Sequence, residues 1–368
     1  AGAEYFLLPA PAFWWLDRYA GFRRHLEDRY TLMHRDSDVA LFDLRRPGSP
    51  PPAIRAPAGR ATVVVPGSVN YFHNRAGQRI ADALNGVGVN AEVTTLDAAG
   101  SGGDWCFLIN PYEVAFGSGG DAAVPLIAAL RQRYDRVVAV LMECAETPWF
   151  GMSLDVCRRA GVTRVLDLGF HGQYESISEE LRPNYYYAFS GLTEAERRAI
   201  PARRTSDERP IPWVFIGHLA GPRVTLVERL LRSADPGGFV YMPNIGPVRD
   251  RGPHINGEQL LRVLRRSRCQ VWCTHHGRFY MESERFRDSL LAGCVPIKIG
   301  TAAADRPEYL PFRYLTKPEQ ELIGGWDDLD SPETWDRFAA EFAALPTLEE
   351  SLAAALRKID QGEAEHGH

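Results

Sequence analysis

The chain has 368 residues, 45% hydrophobic and 24% charged, with a net charge of −5. It is too long for one ordinary core, and its composition excludes a disordered chain and lacks the basic surplus of a nucleic-acid binder. All but three of the 42 basic residues are arginine (the lysines are Lys298, Lys317 and Lys358), as in high-GC bacterial genes, so a lone arginine is weak ground for an anion site.

Residues 1–60 read as an N-terminal extension. Tyr30–His34 and Val39–Leu44 flank a polar turn and predict a β-hairpin, expected beside the first lobe or against a partner. The stretch RRPGSPPPAIRAPAGR then excludes helix and strand interiors and serves as a linker. From Ala61 strands and helices alternate. ATVVVPG is a strand with no polar face, as a parallel sheet requires. A loop, GSVNYFHNRAG, leads to a helix over Ala76–Leu84. Strands follow at Asn90–Leu96 and Asp104–Asn110, then a helix over Val124–Tyr134 and the strand RVVAVLMEC. A helix near Ser153–Ala160 leads to the strand TRVLDLG. This rhythm predicts a doubly wound parallel sheet.

Gly191–Pro210 is polar and breaks the rhythm, so it is expected to join two lobes. The second half repeats the pattern: strand IPWVFIG, helix Val224–Ser233, strand GFVYMPN, helix Gly257–Arg266, strand CQVWCT, helix Glu284–Leu291 and strand VPIKIG. Two helical patterns split at Pro346 close the chain and are expected to return to the first lobe. The predicted fold is α/β: two Rossmann-like doubly wound lobes facing a cleft, with an N-terminal hairpin extension. Its parts are 1–60, a first (acceptor) lobe 61–200, a second (donor) lobe 201–335 and the tail 336–368. In such sheets ligands bind at the carboxyl ends of the strands.

The most specific stretch is MESERFRDSLLAGCVPIKIG, from Met281 to Gly300. Ser283 is a candidate N-cap, Gly293 a left-handed stop, and Glu284, Arg285 and Asp288 occupy the first turns. A helix N-terminus attracts phosphate, and Arg285 adds a forked donor. A carboxylate one turn further in can accept ribose hydroxyls.

This run resembles the donor-site helix of GT-B glycosyltransferases. Ser283, Arg285, Asp288 and the ending Gly293-Cys-Val-Pro-Ile are similar to the pattern of exostosin-like transferases. Ser283-Glu284-Arg285, with Arg in place of Lys, and Pro296 through Gly300 are similar to that of α-fucosyltransferases. The resemblance implies that Arg285 binds donor phosphate and that Asp288 sits at the ribose. The first acid of the common Glu-x7-Glu pair falls at Tyr280, so that motif is broken. The resembled families also open the second lobe with a strand, a Gly turn and an Arg at the next helix start, here Gly217 and Arg223, which implies that Arg223 joins Arg285 on the diphosphate.

Further candidates lie at strand ends. His275 and His276 follow the strand CQVWCT. Being adjacent, they point opposite ways on an extended backbone, so one lines the donor pocket and a shared metal is not expected. In the first lobe Glu143 and Glu146, at the end of VVAVLM, can deprotonate an acceptor hydroxyl or can serve as turn and capping groups ahead of Pro148. His73, in the loop after the first strand, is a further catalytic candidate. Asp167 and His171 are weaker ones. Trp149, Phe150 and Tyr185–Tyr187 are core or stacking residues. No G-x-G-x-x-G follows the first strand, so no dinucleotide cofactor is expected. Asp327-Asp328-Leu-Asp330 lies in the tail, so no metal–diphosphate clamp is expected either.

The six cysteines sit mostly in apolar runs, which suits free thiols in a reducing compartment, and no apolar run approaches the ~18 residues of a membrane span. With no positive leader at its start, the chain is expected to be cytoplasmic. The expected function is metal-independent transfer of a sugar from a nucleoside-diphosphate sugar, as co-substrate, to an acceptor hydroxyl of a glycan or small natural product. The alternatives are a GT-B-type sugar-nucleotide epimerase or hydrolase, or a degenerate binding protein.

Overall fold

The computed structural model describes residues 5–18, 22–23, 26, 30–35, 38–47, 59–67, 71–100, 102–169, 177, 179, 181–202, 208–218, 221–233, 237–242, 257–273, 282–300, 312, 314–318 and 330–362. The chain divides into two compact units, Ala1–Arg55 and Ala56–His368. Among the described residues no single helix is long and apolar enough to cross a membrane.

In the small unit the hairpin forms from β2 (Tyr30–Arg35) and β3 (Val39–Pro47). A strand absent from the sequence reading, β1 (Tyr5–Pro9), pairs antiparallel with the other edge of β3. Leu8, Ala40 and Phe42 point inward with Leu16, from helix α1 (Trp14–Arg18), and Leu26.

The large unit holds two separate parallel sheets. The first has the order β5-β4-β6-β7-β8-β9, with β4 Gly59–Val64, β5 Val89–Thr94, β6 Gly103–Ile109, β7 Tyr134–Leu141, β8 Arg164–Asp167 and β9 Tyr185–Tyr187. The second has the order β11-β10-β12-β13-β14, with β10 Ile211–Ile216, β11 Phe239–Tyr241, β12 Ser267–Cys273, β13 Val295–Ile299 and β14 Thr316–Lys317. Every pairing in both is parallel. Parallel strands need crossovers, and the helices that supply them cover both faces. That is why the central strands are buried throughout, β6 from Trp105 to Ile109 and β12 from Cys269 to Cys273. The architecture is α/β with two Rossmann-like lobes.

In each sheet the first strand has the second on one side and the third on the other. The order therefore reverses between β4 and β6 in the first lobe and between β10 and β12 in the second. A crevice opens beyond the carboxyl ends of the strands at such a reversal, because the two crossover helices leave on opposite faces.

Several helices differ from the sequence reading. Helix α2 (Tyr71–Gly86) starts five residues before Ala76, so His73, Asn74 and Arg75 are helical. A short helix, α3 (Pro111–Gly117), follows β6 directly. Helix α4 (Val124–Leu130) stops short of Tyr134, which opens β7. Helix α5 (Pro148–Ala160) is capped by Thr147, whose hydroxyl accepts from the Phe150 N–H. The segment 191–210 contains α6 (Glu194–Arg198), set by a full capping box of Thr193 and Glu196. The second lobe carries α7 (Pro222–Ser233), α8 (Gly257–Arg265) and α9 (Ser283–Ala292). The N-cap of α9 is Glu282, with no side-chain cap, and Ser283 is a buried first-turn residue. Gly293 ends α9 at φ 68°, the left-handed stop expected there.

The two tail helices divide between the lobes. Trp335, Phe338 and Phe342 of α10 (Pro332–Ala343) lie in the second-lobe core with Phe286. Leu348, Leu352 and Leu356 of α11 (Leu348–Gln361) lie in the first-lobe core with Ile80 and Leu84. The return crossing thus falls at Leu345–Thr347. It is bonded to the outward crossing: Leu348 N–H donates to the Leu192 carbonyl (2.9 Å) and Arg197 Nη2 to the Leu345 carbonyl (3.0 Å). Only a glycine fits at 191, since a Cβ there would lie 2.3 Å from the Pro346 carbonyl oxygen.

Candidate active site

The first constellation lies at the switch point of the first sheet. His73 projects from the first turns of α2, after β4. Asn110 ends β6, and Glu113 sits in the first turn of α3. Glu143 follows β7. The ring Nδ1 of His73 contacts Glu113 Oε2, and its Nε2 lies 2.7 Å from Asn110 Nδ2 and 4.0 Å from Glu143 Oε1. His73, Asn110 and Glu113 are buried. Asn110 is the one non-glycine residue with positive φ among the described residues (46°), a conformation that asparagine tolerates better than most side chains. Its Oδ1 accepts the Met142 N–H (3.0 Å). Burial pushes the Glu143 carboxyl up to about 7; His73 pulls against this and Glu113 adds to it. Burial works against a charged His73 ring, but Glu113 and Glu143 attract the charge and raise its pKa.

The three ionisable side chains offer ligand atoms within 4.8 Å of one another. Asn110 Nδ2 lies 2.7 Å from Nε2 and 3.2 Å from Nδ1, beside the ring and not in line with either nitrogen's lone pair. A histidine between two carboxylates can hold and pass a proton.

The second constellation lies at the switch point of the second sheet. Gly217 ends β10, and a Cβ there would lie 3.4 Å from both Arg223 Nη1 and Arg285 Nη2, so the two guanidinium groups converge on a bare turn. Arg223, in the first turn of α7, reaches across to the Cys273 carbonyl at the end of β12 (2.8 Å). Arg285 donates to the Ile216 carbonyl (2.7 Å) and lies 5.8 Å from the Trp272 ring centre. Beneath them is Glu282, with Lys298 Nζ at 3.3 Å, Arg285 Nε at 3.4 Å and Arg223 Nη2 at 3.5 Å, and with the Trp272 N–H donating to it. Burial acts to raise the Glu282 carboxyl, but Lys298, Arg285 and Arg223 outweigh it and hold it at about 2. Burial lowers Lys298 to about 8 against the pull of Glu282, and burial with Arg285 lowers Arg223 to about 10. Among the described residues three cations gather on one carboxylate at the amino end of a ten-residue helix, a setting that favours an anion.

The sequence candidates separate accordingly. His73 and Glu143 meet, whereas Glu146 is exposed and outside their group. Arg223, Arg285 and Gly217 meet. Glu284 and Asp288, assigned to the donor from the sequence, each bind an arginine of α2 and Arg287 of their own helix. Asp288 Oδ1 lies 3.0 Å from Arg75 Nη2 and 2.9 Å from Arg287 Nη2. Glu284 Oε1 lies 2.8 Å from Arg79 Nη1, and its Oε2 contacts Arg287. Glu196 joins them, 3.1 Å from Arg79 and 2.9 Å from Arg287. Ser283 is buried beside this cluster. His275, His276 and His171 lie outside the described residues. Asp167 is held by the Tyr185 hydroxyl and the Gly169 N–H, Trp149 stacks on Tyr112, and Phe150, Tyr185 and Tyr186 are core. All six cysteines are free and buried.

Asn110, Glu113, Glu282 and Lys298 were missed. The signal for the first two was the run Asn110-Pro-Tyr-Glu directly after a buried strand. For the others it was a rare lysine inside a buried strand and an acid just ahead of the helix.

The Arg75–Asp288 pair joins α2 to α9. Along the chain it lies two residues from His73 and three from Arg285, so the helices that carry the two constellations touch. Phe72, beside His73, packs against the second-lobe cluster that contains Val214, Ile216 and Leu260.

No protein-family model matches the chain, and no curated protein matches it. Among solved structures it is similar to one described as "Crystal Structure of alpha1,3-Fucosyltransferase", at 12% identity and a TM-score of 0.42, over 83% of this chain and 89% of that one.

Proposed function

We propose that the chain transfers a glycosyl group from a nucleoside-diphosphate sugar to an acceptor hydroxyl. The observation that carries this reading is the placement of two sites, one cationic and one basic, at the switch points of two sheets whose helices α2 and α9 are joined by the Arg75–Asp288 pair. Arg223 and Arg285 bind the diphosphate, with Lys298 and the α9 dipole behind them, and stabilise the charge that grows on it as it leaves. Glu143, half-buried and with a pKa near neutrality, takes the acceptor proton. The acceptor oxygen bonds to the anomeric carbon as the bond to the diphosphate breaks. The proton passes to Glu143 and the electron pair leaves with the diphosphate. A cytoplasmic setting and independence of metals are part of the proposal.

Calorimetry with UDP, GDP, TDP and ADP tests the cationic site. At least one nucleoside diphosphate is expected to bind, and binding by none removes the proposal. Against that ligand, Arg285→Ala is expected to bind about tenfold to a hundredfold more weakly, since a hydrogen bond to a charged group contributes about 1.5–3 kcal/mol. The free nucleoside, lacking phosphates, is expected to bind both proteins alike. Equal diphosphate affinity in the variant would make α9 an ordinary packing helix.

A further inference from the structure

We infer that Glu282 is a resident counter-ion, which competes with a bound diphosphate for Arg223, Arg285 and Lys298 and so eases its release. The inference rests on the reading of this constellation as a diphosphate site.

The two arginines are oriented by other groups. Arg223 donates from Nε to the Cys273 carbonyl (2.8 Å) and from Nη1 to the His218 carbonyl (3.4 Å). Arg285 donates from Nη1 to the Ile216 carbonyl (2.7 Å). These bonds set Arg223 Nη1 and Arg285 Nη2 beside the bare turn at Gly217. The contacts with Glu282 are longer, 3.4 Å from Arg285 Nε and 3.5 Å from Arg223 Nη2. An orienting bond between charged groups is shorter, about 2.7–2.9 Å. Carbonyls at the ends of β10 and β12 therefore aim the forks, and Glu282 adds negative charge beside them.

Glu282 is itself held in place. It is the N-cap of α9, and its carbonyl accepts the Arg285 N–H (2.9 Å). Its Oε2 accepts the indole N–H of Trp272, which is wholly buried in β12, and lies 3.3 Å from Lys298 Nζ. Its Oε1 serves the two arginines. The carboxylate thus separates the arginines from Lys298 and stays there when an anion arrives, where like charge repels it.

That repulsion falls harder on product than on donor. The terminal phosphate of a free nucleoside diphosphate ionises a second time, near pH ~6, whereas in the sugar donor it is esterified. Cations without a counter-ion would hold the product more tightly than the donor, and product release often limits turnover.

Calorimetry of the full chain with inorganic pyrophosphate tests this without any substrate. The parent is expected to bind it. Glu282→Gln keeps the shape and an acceptor for the Trp272 N–H, and is expected to bind about tenfold to a hundredfold more tightly, opposite in sign to the loss that a damaged site shows. The double variant Glu282→Gln/Lys298→Met removes the buried carboxylate together with its ammonium, an exchange that folds often tolerate. It is expected to show a smaller gain in the same direction. Either variant alone suffices should the other fail to fold. Equal or weaker binding in the folded variants overturns the counter-ion role and leaves the diphosphate site standing. No binding by the parent removes both.

Discussion

Glu143→Gln is expected to lower turnover about a hundredfold to ten-thousandfold while leaving nucleoside-diphosphate affinity unchanged, because a positioned general base contributes a factor of that order. Glutamine keeps the shape and loses only the proton acceptor. The parent's pH profile carries the same information. A carboxyl raised to about 7 must be ionised to act, so activity is expected above pH 7 and to fall as the pH drops through that value. The stability effect has the opposite sense. A carboxyl whose pKa is raised by folding stabilises the folded state while protonated, and this contribution is lost as the pH rises through its folded pKa. Glu143→Gln is therefore expected to be more stable than the parent above pH 7. Turnover with the parent's acid limb still present in the variant would assign the base elsewhere.

Arg287→Ala is expected to destabilise the fold by about 3–5 kcal/mol in urea unfolding, the scale for removing one partner of a buried ionic group. Arg287 is almost completely buried and faces Glu196, Glu284 and Asp288 together. Without it Arg75 and Arg79 must serve three carboxylates. Arg287→Lys is expected to recover only part of the loss, since an ammonium cannot reach several carboxylates as a planar fork does. The acid dependence has a fixed sign. Burial acts to raise Glu284, but Arg287 and Arg79 hold it at about 2, from an ordinary 4.5. A carboxyl lowered by folding stabilises above its unfolded value, so the contribution is full above pH 4.5 and is lost as the pH falls towards 2. A loss below about 1 kcal/mol in Arg287→Ala would show that the cluster is not carrying the joint.

The strands were legible because burial on both faces leaves an unmixed apolar run, as in Trp105–Ile109 or Val295–Ile299. Helix ends were less so. The sequence FHN ahead of Ala76 has weak helix propensity, and its helix is held by packing of Phe72 and by the bonds of His73 and Arg75, which are tertiary. The same cause hid the ion pairs of Glu284 and Asp288. Their partners Arg79 and Arg75 lie 205 and 213 residues away, and no local pattern tells a carboxylate that meets a ribose from one that meets an arginine of the other lobe. Arg223 and Arg285 could be read because each follows a strand that ends at the same reversal. Asn110 could not, because the dipeptide Asn-Pro does not announce its positive φ.

The two crossings between the lobes have a mechanical consequence. A single connecting strand would let one lobe swivel in any direction about the other. Here the outward segment at Gly191–Leu192 and the return segment at Leu345–Thr347 are stitched together, as two knuckles on one pin. Twisting or sliding would have to break the stitches, whereas swinging about the line they define does not. Swinging about that line is the one relative motion the stitches leave, and it must part the ion pairs Arg75–Asp288 and Arg79–Glu284 between α2 and α9.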